Sequence, residues 1–365
     1  MDLNKIIGKP DWFSEAGLLI VLFASLSIAY NSYFVTASYY LPSYDNSMLH
    51  AGRARVIIET GRYAENEVVF GGGTPTYHVF VYPALVAGTS LLTGLDFAWA
   101  ERLVGLVIAL LLPFGYYLLS KCLFRDWRAG VASGLLVLFT PVFMQWATRN
   151  SPISIGNALV PLALFFILRR EHALAAFCAA ILAFDHPPSL LVLCFSALFF
   201  AIAEFLELIL ARNLLQKALF RPLEAVRAAL SSLFPEIAAG LAGFFAYMAW
   251  HIRQTGASCL DFSCLPQRAA HEFGAPVPLF DYFSKNPHFF SIAGLLILPF
   301  YKKSGSRGKL LVASYFLANV ILVKNDLLGI ATFTERFVTY LGGAAAVLGG
   351  LAVSWFFSLV RGDAD

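Results

Sequence analysis

Apolar runs without a single charge alternate with short polar segments along the whole chain. They fall at Ala16 to Val35, Leu103 to Ser120, Gly130 to Ala147, Ile153 to Leu168, Ala173 to Phe184, Pro187 to Ala203, Ile237 to Trp250, Phe289 to Tyr301, Leu310 to Val323 and Phe337 to Val360. Since roughly 20 apolar residues in a helix cross a hydrocarbon core, this pattern predicts an all-α, polytopic transmembrane bundle of about ten spans. Val79 to Thr93 (VFVYPALVAGTSLLT) differs: it is short and contains Pro83, so it is expected to be an interfacial or re-entrant helix.

Composition agrees with a membrane location. Hydrophobic residues make up 59% of the chain and charged residues 13%, about half the charged share of a soluble domain. The first apolar run has spanning length and no small-residue cleavage site follows it, so a retained first helix is expected rather than a signal peptide. A net charge of +3, evenly spread, excludes nucleic acid as a partner. Cys122, Cys178 and Cys194 lie in or beside apolar runs, so Cys259 and Cys264, which share a polar loop, are the one pair placed to form a disulfide. No zinc-ligand spacing is present.

The basic residues give an orientation. With the amino terminus cytoplasmic, the inner segments hold Lys5, Lys9, Lys121, Arg125, Arg128, Arg169, Arg170, Arg212, Lys217, Arg221, Arg227, Lys302, Lys303, Arg307, Lys309 and Arg361, or 16 of the 26. Both termini then face the cytoplasm, and counting Val79 to Thr93 as a span would reverse the rule. The whole of 1–365 reads as one transmembrane domain. Within it, 36–102 is an outer-face loop with interfacial helices, 212–233 a cytoplasmic amphipathic helix and 251–288 a second outer-face loop. Gly342, Gly343, Ala346, Gly349 and Gly350 in the last run are small enough to admit a neighbouring helix closely.

The outer segments favour arginine over lysine, with Arg53, Arg55, Arg62, Arg102, Arg149, Arg253, Arg268 and Arg336 against only Lys285 and Lys324. A guanidinium is a planar fork of donors suited to phosphate or carboxylate, so this face either holds an anion or pairs its arginines with outer acids such as Glu59 and Glu101. The charged stretch Tyr39 to Tyr63 (YYLPSYDNSMLHAGRARVIIETGRY) concentrates Asp45, His50, Arg53, Arg55, Glu59 and Arg62 in a predicted helix that starts at Asn46 and closes near Gly61. Asp45 is either its N-cap or a catalytic or metal-binding carboxylate, and the roles are compatible.

Two further places carry chemistry. Too few residues separate Glu171 from Asp185 to cross the membrane, so the Asp185-His186-Pro187-Pro188 tip is expected below the outer surface in a protein-lined cavity, unless the hairpin rides outward into the headgroups. Thr334-Glu335-Arg336-Phe337 opens the last helix on the same face, where Arg336 meets either lipid phosphate in general or that of a specific substrate. Arg149, on the turn after the third helix, points to this face too. His78, in TPTYHVFVYP, is an interfacial hydrogen-bonding residue or a ligand.

With YDNSMLHAGRARVIIETGRY after the first helix, then TYHVFVYPALVAGTSLLTGLD, DHPPS and ERFVTYL, the chain resembles the GT-C superfamily of polytopic glycosyltransferases. That superfamily includes oligosaccharyltransferase catalytic subunits, protein O-mannosyltransferases and lipid A aminoarabinose transferases. The resemblance implies a GT-C-like fold and transfer of a sugar from a polyprenyl-phosphate-linked donor to a lipid, glycan or protein acceptor at the cell membrane. It implies that Asp45 acts as base or metal ligand, with a divalent metal such as magnesium or manganese as the candidate cofactor, and that Arg336 contacts the donor phosphate. His50, Arg53, Arg149, Asp185, His186 and His78 are the further candidates for donor binding. Asp45 is followed by Asn46 rather than a second acid, the tryptophan-rich acceptor motif of oligosaccharyltransferases is missing, and no extramembrane carboxy-terminal domain is expected. The rival reading is a transporter or lipid flippase, which calls for ionisable groups near the midplane, and Asp185 is the one feature that serves it.

Overall fold

A computed structural model describes residues 11–35, 45–63, 80–140, 151–211, 245, 249, 279, 289–328 and 334–362. Among them every regular element is helical. Asp11 caps α1 (Trp12–Tyr30), its side chain accepting from Phe13 N at 3.3 Å, and the helix runs on as a π turn over Asn31–Val35. Then come α2 (Asp45–Thr60), α3 (Val81–Thr93), α4 (Phe97–Phe124), α5 (Trp127–Leu138), α6 (Pro152–Arg169), α7 (His172–Asp185), α8 (Pro187–Ala211), α9 (Phe289–Ile297), α10 (Ser306–Val323) and α11 (Thr334–Arg361). Aspartates also open α4 and α5, where Asp96 and Asp126 each accept a backbone N–H at 2.9 Å, as N-caps do.

Six of these helices are long and apolar enough to cross a membrane: Trp12–Phe34, Phe97–Phe124, Pro152–Arg169, Pro187–Glu207, Ser306–Val323 and Arg336–Arg361. The expectation of about ten is met only in part: three apolar runs form shorter helices among the described residues, and the run Ile237 to Trp250 lies outside them but for 245 and 249. α5 has 12 residues and α7 has 14, which at ~1.5 Å per residue is too little for a ~30 Å core, and α9 has 9 described residues. The run at Val79 to Thr93 forms α3, of 13 residues. The segment 212–233, most of 251–288 and the cysteines Cys259 and Cys264 lie outside the described residues.

α11 is the axis of the bundle: every residue from Phe337 to Ala352 is buried, among α5, α9 and α10. Its glycines permit this. A Cβ on Gly350 would strike Ser133 Oγ and lie 2.6 Å from Ala129 O on α5, so the small residues serve close packing as expected. α1, by contrast, is peripheral and turns Trp12, Phe13, Leu19, Ile20 and Phe23 outward, the apolar face a lipid-contacting helix presents.

Proline inside a helix leaves the carbonyl four residues earlier without its donor. Pro113 does this to Ala109 on α4, and Ser25 of α1 donates its Oγ to Ala109 O at 2.5 Å. At the other end of α1, Ser14 Oγ accepts from Lys121 Nζ at 2.7 Å while Tyr117 donates to Ser14 O at 2.8 Å. Polar side chains thus pin an otherwise lipid-facing helix at two depths.

Candidate active site

Polar groups gather at one end of the bundle, where α2 packs on α3 and α4, and α3 packs on α4, α6 and α7. On α2, His50 and Arg53 sit one turn apart and both face inward; Arg53, at 0% exposed, is the largest fully buried side chain described. Its Nη1 lies 3.5 Å from His50 Nδ1. The His50 ring meets Tyr82 of α3 edge-on with centroids 5.5 Å apart, and Tyr82 donates to Glu101 Oε1 of α4 at 3.5 Å. The outward face of α2 is ordinary by comparison: Arg55 pairs with Glu59 at 2.7 Å in solvent, a hydrogen bond that raises the Arg55 pKa. Arg102 stacks over Trp99 at 4.8 Å and Phe34 at 5.6 Å.

The α7–α8 hairpin forms the other half. His186 closes α7 by donating its N–H to Leu182 O at 2.9 Å, and Pro187 and Pro188 start α8, where a missing N–H costs nothing. This tight turn leaves Asp185 fully buried, with its carboxyl group against the Tyr82 backbone N–H of α3. The 14-residue α7 ends with this carboxyl inside protein. His186 Nδ1 shares a 2.6 Å hydrogen bond with Ser189 Oγ, which is hydrogen-bonded in turn to the Tyr340 hydroxyl of α11. Tyr315 donates to Tyr340 O at 3.4 Å and lies 3.3 Å from the Tyr116 hydroxyl, continuing the chain of polar groups into the bundle.

Close helix approach makes this possible. A Cβ on Gly156 of α6 would land on Ser189 Oγ and 2.6 Å from Tyr340 OH, so only glycine lets α6 meet α8 and α11 there. The next residue, Asn157, is fully buried, and neither amide atom of its side chain has a partner among the described residues. Arg336, half-buried, lies one turn before Tyr340 and within its electrostatic reach.

Of the expected site residues, His50, Arg53, Asp185, His186 and Arg336 therefore fall at one end of the bundle. Asp45 stands at the start of α2, with its side chain outside the described residues, and Arg149 and His78 lie outside them altogether. Sequence reasoning did not single out Tyr82, Ser189, Tyr340 or Asn157, and it treated Glu101 only as a pairing partner. Ser189 and Tyr340 did carry a signal, one turn after His186 and after Arg336, the spacing at which helical residues share a face. No group of three or more His, Cys, Asp or Glu among the described residues is placed to hold a metal ion.

In fold the chain matches several solved structures. One is the oligosaccharyltransferase AglB of Archaeoglobus fulgidus with an inhibitory peptide and a dolichol-phosphate, at TM-score 0.60 and 15% identity over 96% of this chain. An oligosaccharyltransferase of Archaeoglobus fulgidus tethered by a disulfide bond to an acceptor peptide containing the NVT sequon matches at TM-score 0.63 and 15% identity, again over 96%. ArnT of Cupriavidus metallidurans bound to undecaprenyl phosphate matches at TM-score 0.58 and 16% identity, also over 96%. The chain has the GT-C fold. It spans 52% and 50% of the two oligosaccharyltransferase chains and 62% of ArnT, and the shared part is this helical bundle. No protein-family model matches the chain, and no curated protein does.

Proposed function

We propose that this GT-C protein is a membrane glycosyltransferase that takes a sugar from a polyprenyl-phosphate-linked donor and passes it to an acceptor at the end of the bundle where the polar cluster gathers. We read that end as the outer face, from the charge bias of the sequence. The observation that carries the proposal is Arg53: a guanidinium is withdrawn wholly from solvent beside His50, at the end of the fold that also collects Asp185, His186 and Arg336. A guanidinium fork held in place at such a site offers planar donors that match the oxygens of a phosphate. Neighbours of the same fold, solved with dolichol-phosphate and with undecaprenyl phosphate, supply the class of anion.

In this reading the acceptor nucleophile attacks the anomeric carbon of the sugar while the bond from that carbon to the phosphate oxygen breaks. Polyprenyl phosphate leaves, and the acceptor's proton passes to the Asp45 carboxylate. Arg336 and Arg53 stabilise charge growing on the departing phosphate, with His50 as a second donor beside Arg53. His186, Ser189 and Tyr340, already hydrogen-bonded to one another, are the groups offered to the sugar hydroxyls.

Native mass spectrometry of the purified wild type and Arg336→Ala proteins, each offered a panel of polyprenyl-phosphate sugars, tests the proposal. The wild type is expected to retain carrier lipid that the variant loses, the mass identifying the sugar. Equal retention of ordinary phospholipids by both proteins, with no carrier lipid on either, would overturn it.

A further inference from the structure

At the end of the bundle away from the polar cluster, four cationic side chains from three helices and their ends converge on one cavity of about 410 Å³, lined by Lys121, Arg125, Arg169 and Arg307. That volume falls in the ~300–1,000 Å³ range of small-ligand sites. The charge in it is poorly balanced. Glu204 takes Arg307 at 2.9 Å, Lys121 donates to Ser14 Oγ within electrostatic reach of Asp11 and Glu15, and Arg169 meets the Cys122 side chain, but among the described residues no salt bridge joins a carboxylate to Lys121, Arg125 or Arg169. The positive-inside rule accounts for basic residues at one end of a bundle, and it is satisfied when long side chains splay apart into the headgroups. Convergence on a shared cavity is a different arrangement, because like charges brought together repel unless an anion lies between them.

The backbone is shaped to the same end. Arg125 closes α4 at φ 52, a left-handed conformation that favours glycine, and Arg125 Nη2 is the one atom within 4 Å of a Cβ built on Gly305, at 4.0 Å. A glycine at the start of α10 thus keeps the space in front of that guanidinium open. We infer that this cavity is a binding site for a phosphate group, carried either by an anionic membrane lipid or by a soluble phosphate ester. Forked guanidinium donors match phosphate oxygens, and basic pockets between transmembrane helices take phosphate headgroups in this way.

The test uses the full chain, delipidated and placed in phosphatidylcholine nanodiscs. Phosphatidylglycerol retention is read by native mass spectrometry, and inorganic phosphate or pyrophosphate binding by thermal shift against chloride at equal ionic strength. Two variants are compared with wild type: the double substitution Arg125→Gln with Arg169→Gln, and Gly305→Asp. The double variant is expected to lose roughly thirtyfold in affinity, the equivalent of about 1 kcal/mol per basic residue. Gly305→Asp keeps every cation but sets a carboxylate before Arg125. Because aspartate is a good N-cap for α10, this variant should lose anion binding without losing thermal stability, which separates loss of the site from loss of fold. Selective retention of phosphatidylglycerol assigns the site to a lipid, and a phosphate or pyrophosphate shift without lipid selectivity assigns it to a soluble ester. Anion binding that is unchanged in both variants, or absent from the wild type, overturns the inference. None of these substitutions touches the proposed donor site.

Discussion

Gly156 is the sharpest test of the site's construction, because one methyl group there has a calculable effect. In Gly156→Ala the new carbon would fall on Ser189 Oγ, 2.9 Å from Ser189 Cβ and 2.6 Å from Tyr340 OH. A serine rotamer change moves Oγ but not Cβ, so α6 must shift from α8 and α11 or the tyrosine must leave its hydrogen bond. Overpacking of this kind costs about 1–3 kcal/mol, against a gain of about 0.8–1 kcal/mol for alanine over glycine in a helix. Gly88 of α3 is the matched control: a Cβ there meets nothing within 4 Å, so Gly88→Ala collects the helical gain alone. Thermal unfolding of the solubilised full chain should place Gly88→Ala at or above wild type and Gly156→Ala a few degrees below it. Adding Ser189→Gly to Gly156→Ala should recover part of the loss, since it removes both serine atoms from the contact. If Gly156→Ala matched Gly88→Ala, the close approach of the three helices, and with it the geometry of the Ser189–Tyr340 pair, would be refuted.

Three other perturbations separate chemistry from packing. Asp45→Asn should abolish sugar transfer without lowering folded yield, and a fully active variant in a transfer assay would remove Asp45 from the catalytic role. Arg53→Ala should cut both folded yield and donor retention because it empties a fully buried position, whereas Arg55→Ala breaks an exposed i,i+4 pair and should change stability by no more than about 0.5 kcal/mol. Ser25→Ala strands the Ala109 carbonyl and should cost about 1–3 kcal/mol in unfolding experiments. In a Pro113→Ala background, where residue 113 regains the N–H that serves that carbonyl, the same substitution should cost less.

Hydropathy made the long helices legible because α4, α6, α8, α10 and α11 keep their apolar character through the whole membrane. It does not by itself separate spans from shorter helices such as α5 and α7, since a run's composition says that it is buried in something apolar but not whether that is lipid or protein. The burial of Asp185 within protein was legible from a different property, the number of residues between Glu171 and the hairpin tip, which limits how far the turn can rise. The α2 helix and its end near Gly61 were legible from local pattern as well. The His50–Tyr82–Glu101 contacts and the Ser189–Tyr340 pair were not, because they join residues up to 151 positions apart and periodicity within one helix says nothing of its rotation against another. Gly156 was illegible for the same reason: a glycine in an apolar run reads alike whether its missing side chain faces lipid or a tyrosine.

The two interior prolines show where such a reading can be pressed further. In a membrane every backbone group must find its partner within the protein, so each proline poses a question about the carbonyl four residues before it. For Pro113 the answer is Ser25. For Pro161 the carbonyl belongs to Asn157, whose side-chain amide is itself buried with no partner among the described residues, next in sequence to the glycine that admits Ser189 and Tyr340. Unmet polar atoms in a native interior are a cost, and near-isosteric replacement by an apolar side chain removes it. Asn157→Leu should therefore leave the unfolding temperature unchanged or raise it. If the amide serves to meet a hydroxyl of a bound sugar, the same variant should lose transfer while still retaining polyprenyl phosphate in native mass spectrometry. A stability loss of 2 kcal/mol or so would mean that the protein itself answers the amide, and Asn157 would then belong to the packing of α6 rather than to the site.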